Sequence, residues 1–272
     1  LLYKGHRPYV EQPEFKEALR FKGDIAVIHL GINDTDPRNW PNYRDEFVKD
    51  YLSIMDSLRA ANPKVRFILA RMTPIADRHP RFQSGTKQWH DEIQTAIETV
   101  ARVSVAELID FHEPLYPYPN LLPDAIHPNP EGAGILAKTV YGGITGNYGG
   151  LSMSLLYADY MVLQRDVPLD IHGTANTGEK ITVEIGGQKA SATADNQGKW
   201  SVVLSPMQAA EDLTLTITAG KQRKVFSHVA VGEVWLCSGQ SNMAFMLCQA
   251  ESGKEDIAAC LLYTSPSPRD ST

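Results

Sequence analysis

Cysteine is scarce in this sequence, with three residues in 272: Cys237, Cys248 and Cys260. Their spacing makes neither a disulfide framework nor a paired metal-ligand motif, so the redox compartment stays open. Excess positive charge is also lacking. Lys and Arg total 26 against 32 Asp and Glu, a formal net charge of −6. That balance argues against nucleic acid or an acidic membrane surface as partner. No apolar run is long enough to span a bilayer. There is no internal repeat of solenoid period. The first residues, "LLYKGHRPYV", carry neither an initiator Met nor a secretory signal. The chain is expected to open mid-protein, so the missing signal says nothing about compartment.

What is present is ordinary globular composition, 43 % hydrophobic and 21 % charged, in a length that suits one large or two modest domains. The first part alternates strand and helix. "DIAVIHLG" (24–31) is a short apolar run rich in β-branched residues, as expected of a strand buried on both faces. "VRFILA" (65–70) and "AELIDF" (106–111) read as further strands. Between them, Phe47, Tyr51, Ile54, Met55 and Leu58 share one face of a helix that Pro63 closes. Ile93, Ile97 and Val100 mark a second helix, and residues 131–144 a third. Such alternation implies parallel βαβ units with helices on both faces of one sheet.

Past "GNYGG" (146–150) the period becomes two, in "ITVEIGG" (181–187), "WSVVL" (200–204) and "LTLTITAG" (213–220). Turn signals separate these runs, which predicts a small all-β sandwich. "VAVGEVWLCSG" (229–239) then reads as a strand that opens a new α/β unit.

Reactive groups in an α/β sheet belong at the carboxyl ends of strands. Three places qualify. "GIND" (31–34) follows the first strand: Gly31 permits a sharp turn, and the Asn33 amide can aim N–H groups at a developing oxyanion. A plain turn would use the same residues. "PDAIHPN" (123–129) offers Asp124 and His127, a carboxylate able to orient a general base; a turn followed by a surface histidine would look the same. "SGQSNM" (238–243) places Ser241 at a strand-to-helix turn, as a nucleophile or as a helix cap, and it is not the GxSxG elbow.

"GIND" followed about ninety residues later by "DAIH" resembles two motif blocks of the SGNH (GDSL-type) hydrolase superfamily. The resemblance implies a three-layer α/β/α, flavodoxin-like domain over residues 1–145 whose nucleophile block would lie before residue 1. It makes Asp124 and His127 the acid and base of a triad, and Asn33 and Gly31 parts of an oxyanion hole. Residues 146–152 would be a Gly-rich linker and 153–228 the β-sandwich module. Residues 229–259 resemble the truncated start of a second SGNH domain, of the bacterial sialate O-acetylesterase type, with Ser241 as its catalytic serine. The implied activity is hydrolysis of O-acetyl esters on carbohydrates by a serine nucleophile, with no metal or organic cofactor, in the periplasm or outside the cell. The fragment alone would then be inactive. Alternatives are a lipid esterase or thioesterase of the same superfamily, and a carbohydrate-binding module with degenerate hydrolase flanks.

Two further expectations concern the end of the chain. "CLLYTSPSPRDST" (260–272) resembles a translated sequencing adapter and is read as an artefact without packed contacts. Residues 231–238, "VGEVWLCS", could dock beside strand 24–31 of the same chain and carry Ser241 toward His127.

Overall fold

The computed structural model describes residues 1–79, 87–236, 246–249, 251 and 253–258. Helix α1 (Pro13–Phe21) begins with Pro in its first turn and ends at Lys22 in a left-handed conformation, φ 52°. Then come β1 (Ile25–Ile28), the short α2 (Trp40–Tyr43), α3 (Phe47–Ala61), β2 (Arg66–Arg71), α4 (Lys87–Ser104), β3 (Glu107–Asp110) and α5 (Pro130–Thr145). The three strands are parallel and lie in the order β1-β2-β3, as the βαβ reading requires.

The two faces of β2 divide the core. Phe67 and Leu69 join Phe15, Phe47, Tyr51, Ile54, Met55, Ile93 and Ile97 on the side of α1, α3 and α4. Ile68 and Ala70 point the other way, to Ile109, Phe111 and the inner face of α5 at Leu136, Val140 and Ile144. Side chains that alternate along a strand produce this division. Helices therefore cover both faces. At Gly143 of α5 a Cβ would lie 2.6 Å from the Ile109 side chain, so glycine lets the helix sit close on β3.

β1 corrects one expectation. Of its four residues only Ile28 is buried, while Ile25 and Val27 are 39 % and 38 % exposed. The cause is topological: among the described residues β1 pairs with β2 and with nothing on its other edge. A run apolar enough for the middle of a sheet stands at its rim.

The second unit holds β4 (Val162–Gln164), β5 (Leu169–Thr174), β6 (Lys180–Ile185), β7 (Gln188–Thr193), β8 (Lys199–Leu204), β9 (Ala210–Ala219) and β10 (Gln222–Gly232). One sheet runs β4-β10-β9-β6-β7, and β5 pairs with β8 in a separate ribbon. Ile171, Trp200, Val202 and Leu204 of the ribbon share one core with Ile181, Val183, Leu215 and Ile217 of the sheet. Strand β10 differs from the sequence reading, which started a new unit at 229. Ala230, Val231 and Gly232 pair with Val162, Leu163 and Gln164 of β4, so these residues complete the β unit. The docking of 231–238 beside β1 is thereby overturned at its first two residues: cross-strand partners within their own sheet hold them. A short helix, α6 (Gly253–Ala258), follows later in the chain. Residues 260–272 lie outside the described residues.

The segment between the units is tied down. Gly146 ends α5 at φ 73°, and its carbonyl accepts from Thr177 N at 2.9 Å. The Asn176 side-chain Oδ1 accepts from Tyr148 N and Gly150 N at 3.0 and 3.1 Å. Lys199 of β8 meets Glu113, just past β3, at 2.9 Å.

Candidate active site

Parallel strands place all their carboxyl ends on one rim. Gly31 and Asn33 follow β1 there, and the loop bearing Asp124 and His127 follows β3. Gly31 is buried at φ 130°, and a Cβ would lie 2.9 Å from Met72 Sδ and 3.0 Å from Ile93 Cγ2. Both backbone and space demand glycine. The turn leads into a short 3-10 helix, Ile32–Thr35, on which Asn33 is exposed. Asn39 Nδ2 donates to the Asn33 carbonyl at 3.2 Å and steadies that turn. Asp34 is buried and accepts from Leu2 N at 3.2 Å.

Asp124 and His127 are in direct contact. His127 Nδ1 lies 2.6 Å from Asp124 Oδ2. Asp124 Oδ1 accepts from His127 N at 2.7 Å and from Ile126 N at 3.0 Å. One carboxylate thus holds both the backbone and the ring of its neighbour three residues on. The hydrogen bond with the His127 ring, joined by the two backbone donors, holds the Asp124 carboxyl well below the usual range. Both side chains are exposed, so a substrate can reach the imidazole.

The loop that presents the pair is fixed from several sides. Ala125 sits at φ 71°, and its carbonyl accepts from Ala76 N at 2.9 Å. Arg78 donates to the carbonyls of Pro119 and Leu122. Asn129 caps α5 by accepting from Gly132 N at 2.9 Å, which terminates the loop two residues past His127.

The same rim holds groups the sequence reading passed over. Gln94 brackets the chain after β2, accepting from Met72 N at 2.8 Å and donating to Met72 O at 3.1 Å. The His90 Nε2–H donates to Thr73 O at 3.1 Å. His90 and His112 stand 5.7 Å apart, and burial pushes both below the ordinary histidine range. His112 follows β3 by two residues, a position that could have marked it; His90 and Gln94 lie inside a helix and carried no signal. Among the described residues no cluster of three or more His, Cys, Asp or Glu is placed to hold a metal ion. No helix among them is long and apolar enough to cross a membrane. Ser241 lies outside the described residues.

A parallel sheet covered by helices on both faces, with an Asp–His pair exposed on the loop after its last described strand, defines an α/β domain. Residues 4–135 match the GDSL-like Lipase/Acylhydrolase family, and this segment belongs to the SGNH (GDSL-type) superfamily. The chain is also 34 % identical over 157 residues to an acetylxylan esterase of Xylanibacter ruminicola, covering 52 % of this chain and 32 % of that protein. It is 27 % identical over 156 residues to the rat sialate O-acetylesterase, covering 50 % of this chain and 28 % of that one. A solved carbohydrate acetylesterase from Xanthomonas citri aligns with 36 % identity and a TM-score of 0.37, over 40 % of this chain and 25 % of that structure. The chain spans about a third of the length of the curated relatives it matches.

Proposed function

We propose that this sequence derives from a serine esterase that removes O-acetyl groups from carbohydrates. The 2.6 Å contact between Asp124 and His127 carries the reading. In it His127 is the general base, Asp124 fixes the tautomer and balances the imidazolium, and the Asn33 amide at the Gly31 turn receives the oxyanion. A serine attacks the acetyl carbonyl, and the histidine takes its proton and passes it to the leaving sugar hydroxyl. Water then attacks the acetyl-enzyme and releases acetate. Ser241 is the proposed nucleophile of a second unit that begins at the end of the β module. The names of the relatives, an acetylxylan esterase and a sialate O-acetylesterase, support the acetyl and sugar parts of the reading.

The test is acetate release from a chromogenic acetyl ester and from acetylated xylo-oligosaccharide by the longest protein carrying this sequence. His127→Ala and Ser241→Ala are each expected to lower kcat of their own unit by about 10²–10⁴-fold. Full activity in the doubly substituted protein would overturn the assignment. Faster hydrolysis of long acyl chains than of acetyl would move the substrate class to lipid esters. The 272 residues alone are expected to show no turnover above background; measurable turnover would mean that Ser241 and His127 share one site.

A further inference from the structure

A polar cleft runs between the two units. Every residue that borders it lies between Ile109 and Ser201, within one described stretch of chain. Its widest part, about 700 Å³, opens on the outer face of the β5–β8 ribbon, where His172 stands opposite Ser201 and Thr174 opposite Lys199. Residues 152–154 form a wall along the edge of β5, because Ser152 and Thr174 exchange hydrogen bonds of 2.8 and 3.0 Å. Glu113 of the α/β unit borders the same space and meets Lys199 there. The cleft continues. Glu113, Thr174 and Lys199 also border a smaller hollow, which shares Pro114, Thr139 and Tyr148 with a third part of about 530 Å³ beside Tyr141 of α5. Tyr148 is held there: its hydroxyl donates to Asn196 O at 2.9 Å, and its ring lies so close on Gly142 that a Cβ would stand 2.5 Å from Tyr148 Cε1. Tyr141 is 56 % exposed. Clefts between units are a common place for ligands.

The lining selects by its donors and acceptors. Three carboxylates, Glu113, Asp170 and Asp195, share the widest part with one lysine, Lys199. That excess disfavours an anion and offers acceptors to a ligand rich in hydroxyl donors. Trp200 borders the same space and is 4 % exposed, and its Nε1–H has no hydrogen-bond partner among the described residues. Buried polar groups are almost always paired, so an orphaned N–H beside a cleft points to a ligand oxygen. Gly173 leaves that side of the indole uncovered. A Cβ there would run into the Ser152 carbonyl and stand 2.9 Å from Trp200 Cζ2, two bonds from Nε1. At the other end the tyrosines present apolar ring faces with polar tips.

We infer that this cleft binds a neutral oligosaccharide chain, laid from the β5–β8 ribbon past Lys199 to Tyr148 and Tyr141. The inference rests on the carbohydrate reading proposed above for its place in the reaction, and it adds that the sugar is held as a chain, by both units.

The experiment is calorimetric titration of the 272-residue chain with xylohexaose and with cellohexaose, sugars that carry no acetyl group. Saturable binding of at least one hexamer is expected, about 10-fold tighter than that of the matching disaccharide, which reaches only part of the cleft. Trp200→Phe keeps a ring and removes the N–H, and Asp170→Ala removes an exposed acceptor; each is expected to weaken binding about 5–10-fold. Tyr160→Ala, an exposed aromatic outside the cleft, is expected to leave binding unchanged. The inference is overturned if neither hexamer binds saturably, or if both cleft variants are folded by circular dichroism and bind as the wild type does. Loss of binding in Tyr160→Ala alone would place the sugar elsewhere and overturn it too. Tighter binding of a galacturonate or glucosamine hexamer than of either neutral one would make charge the determinant, with the same consequence. Because the probes carry no ester, the two readings fail separately. Binding here without acetate release by the longer protein would sink the esterase reading alone, and acetate release without binding here would sink this inference alone.

Discussion

Replacing Gly31 with alanine is expected to destabilise the α/β unit by about 2–6 kcal/mol. Two effects add. A φ of 130° lies where L residues rarely go, and holding one there costs about 1–3 kcal/mol. The new methyl would also stand 2.9 Å from Met72 Sδ and 3.0 Å from Ile93 Cγ2, both fully buried, and overpacking of a filled core costs a further ~1–3 kcal/mol. Urea unfolding followed by the helical far-ultraviolet signal measures the loss. With a slope of about 2 kcal/mol per molar, the midpoint falls by roughly 1–3 M. Gly134→Ala is the control, because nothing lies within 4 Å of its added Cβ inside α5. That change should raise stability by up to ~1 kcal/mol. Adding Met72→Ala to Gly31→Ala should recover part of the overlap, giving a coupling of about 1 kcal/mol against simple additivity. If Gly31→Ala and Gly134→Ala lie within about 0.5 kcal/mol of each other, the account of this turn is wrong.

Other outcomes follow from the same contacts. Because the folded Asp124 carboxyl titrates below its ordinary value, it contributes stability that is present above about pH 4 and is lost as the pH falls through the lower folded value. Wild type should therefore exceed Asp124→Asn at neutral pH and converge with it in strong acid, as pH-dependent urea midpoints would show. His90 is buried with its pKa depressed, so the unfolded chain binds more protons below about pH 6.5 and stability should fall as the pH drops through that region. His90→Gln should flatten this slope; an unchanged slope would shift the cause to other groups. Lys199→Ala removes an exposed ion pair with Glu113 and should cost no more than about 1 kcal/mol in a thermal scan. A larger loss would mean that the two units depend on this contact.

Much of the organisation is local and was legible in the sequence. The helical spacing of Phe47, Tyr51, Ile54 and Met55 needs only the period of a helix to be read, and all four are buried as that spacing requires. The change of period after residue 150 likewise separates βαβ units from antiparallel strands. The three residues from Asp124 to His127 are a local relation too, since a carboxylate that caps the backbone of such a turn is already beside the ring. The edge position of β1 is not local. Its composition suits a strand covered on both sides, and only the list of its neighbours in space leaves Ile25 and Val27 exposed. The same holds for Val229–Gly232, whose apolar run fits either unit and is assigned by the pairing of Ala230 with Val162. His90 and Gln94 join the rim because α4 packs across the end of β2, a contact between segments about twenty residues apart. Side-chain period and turn chemistry are properties of adjacent residues. Edge, burial and the company a side chain keeps are set by which segments meet, and that was decided by the tertiary structure.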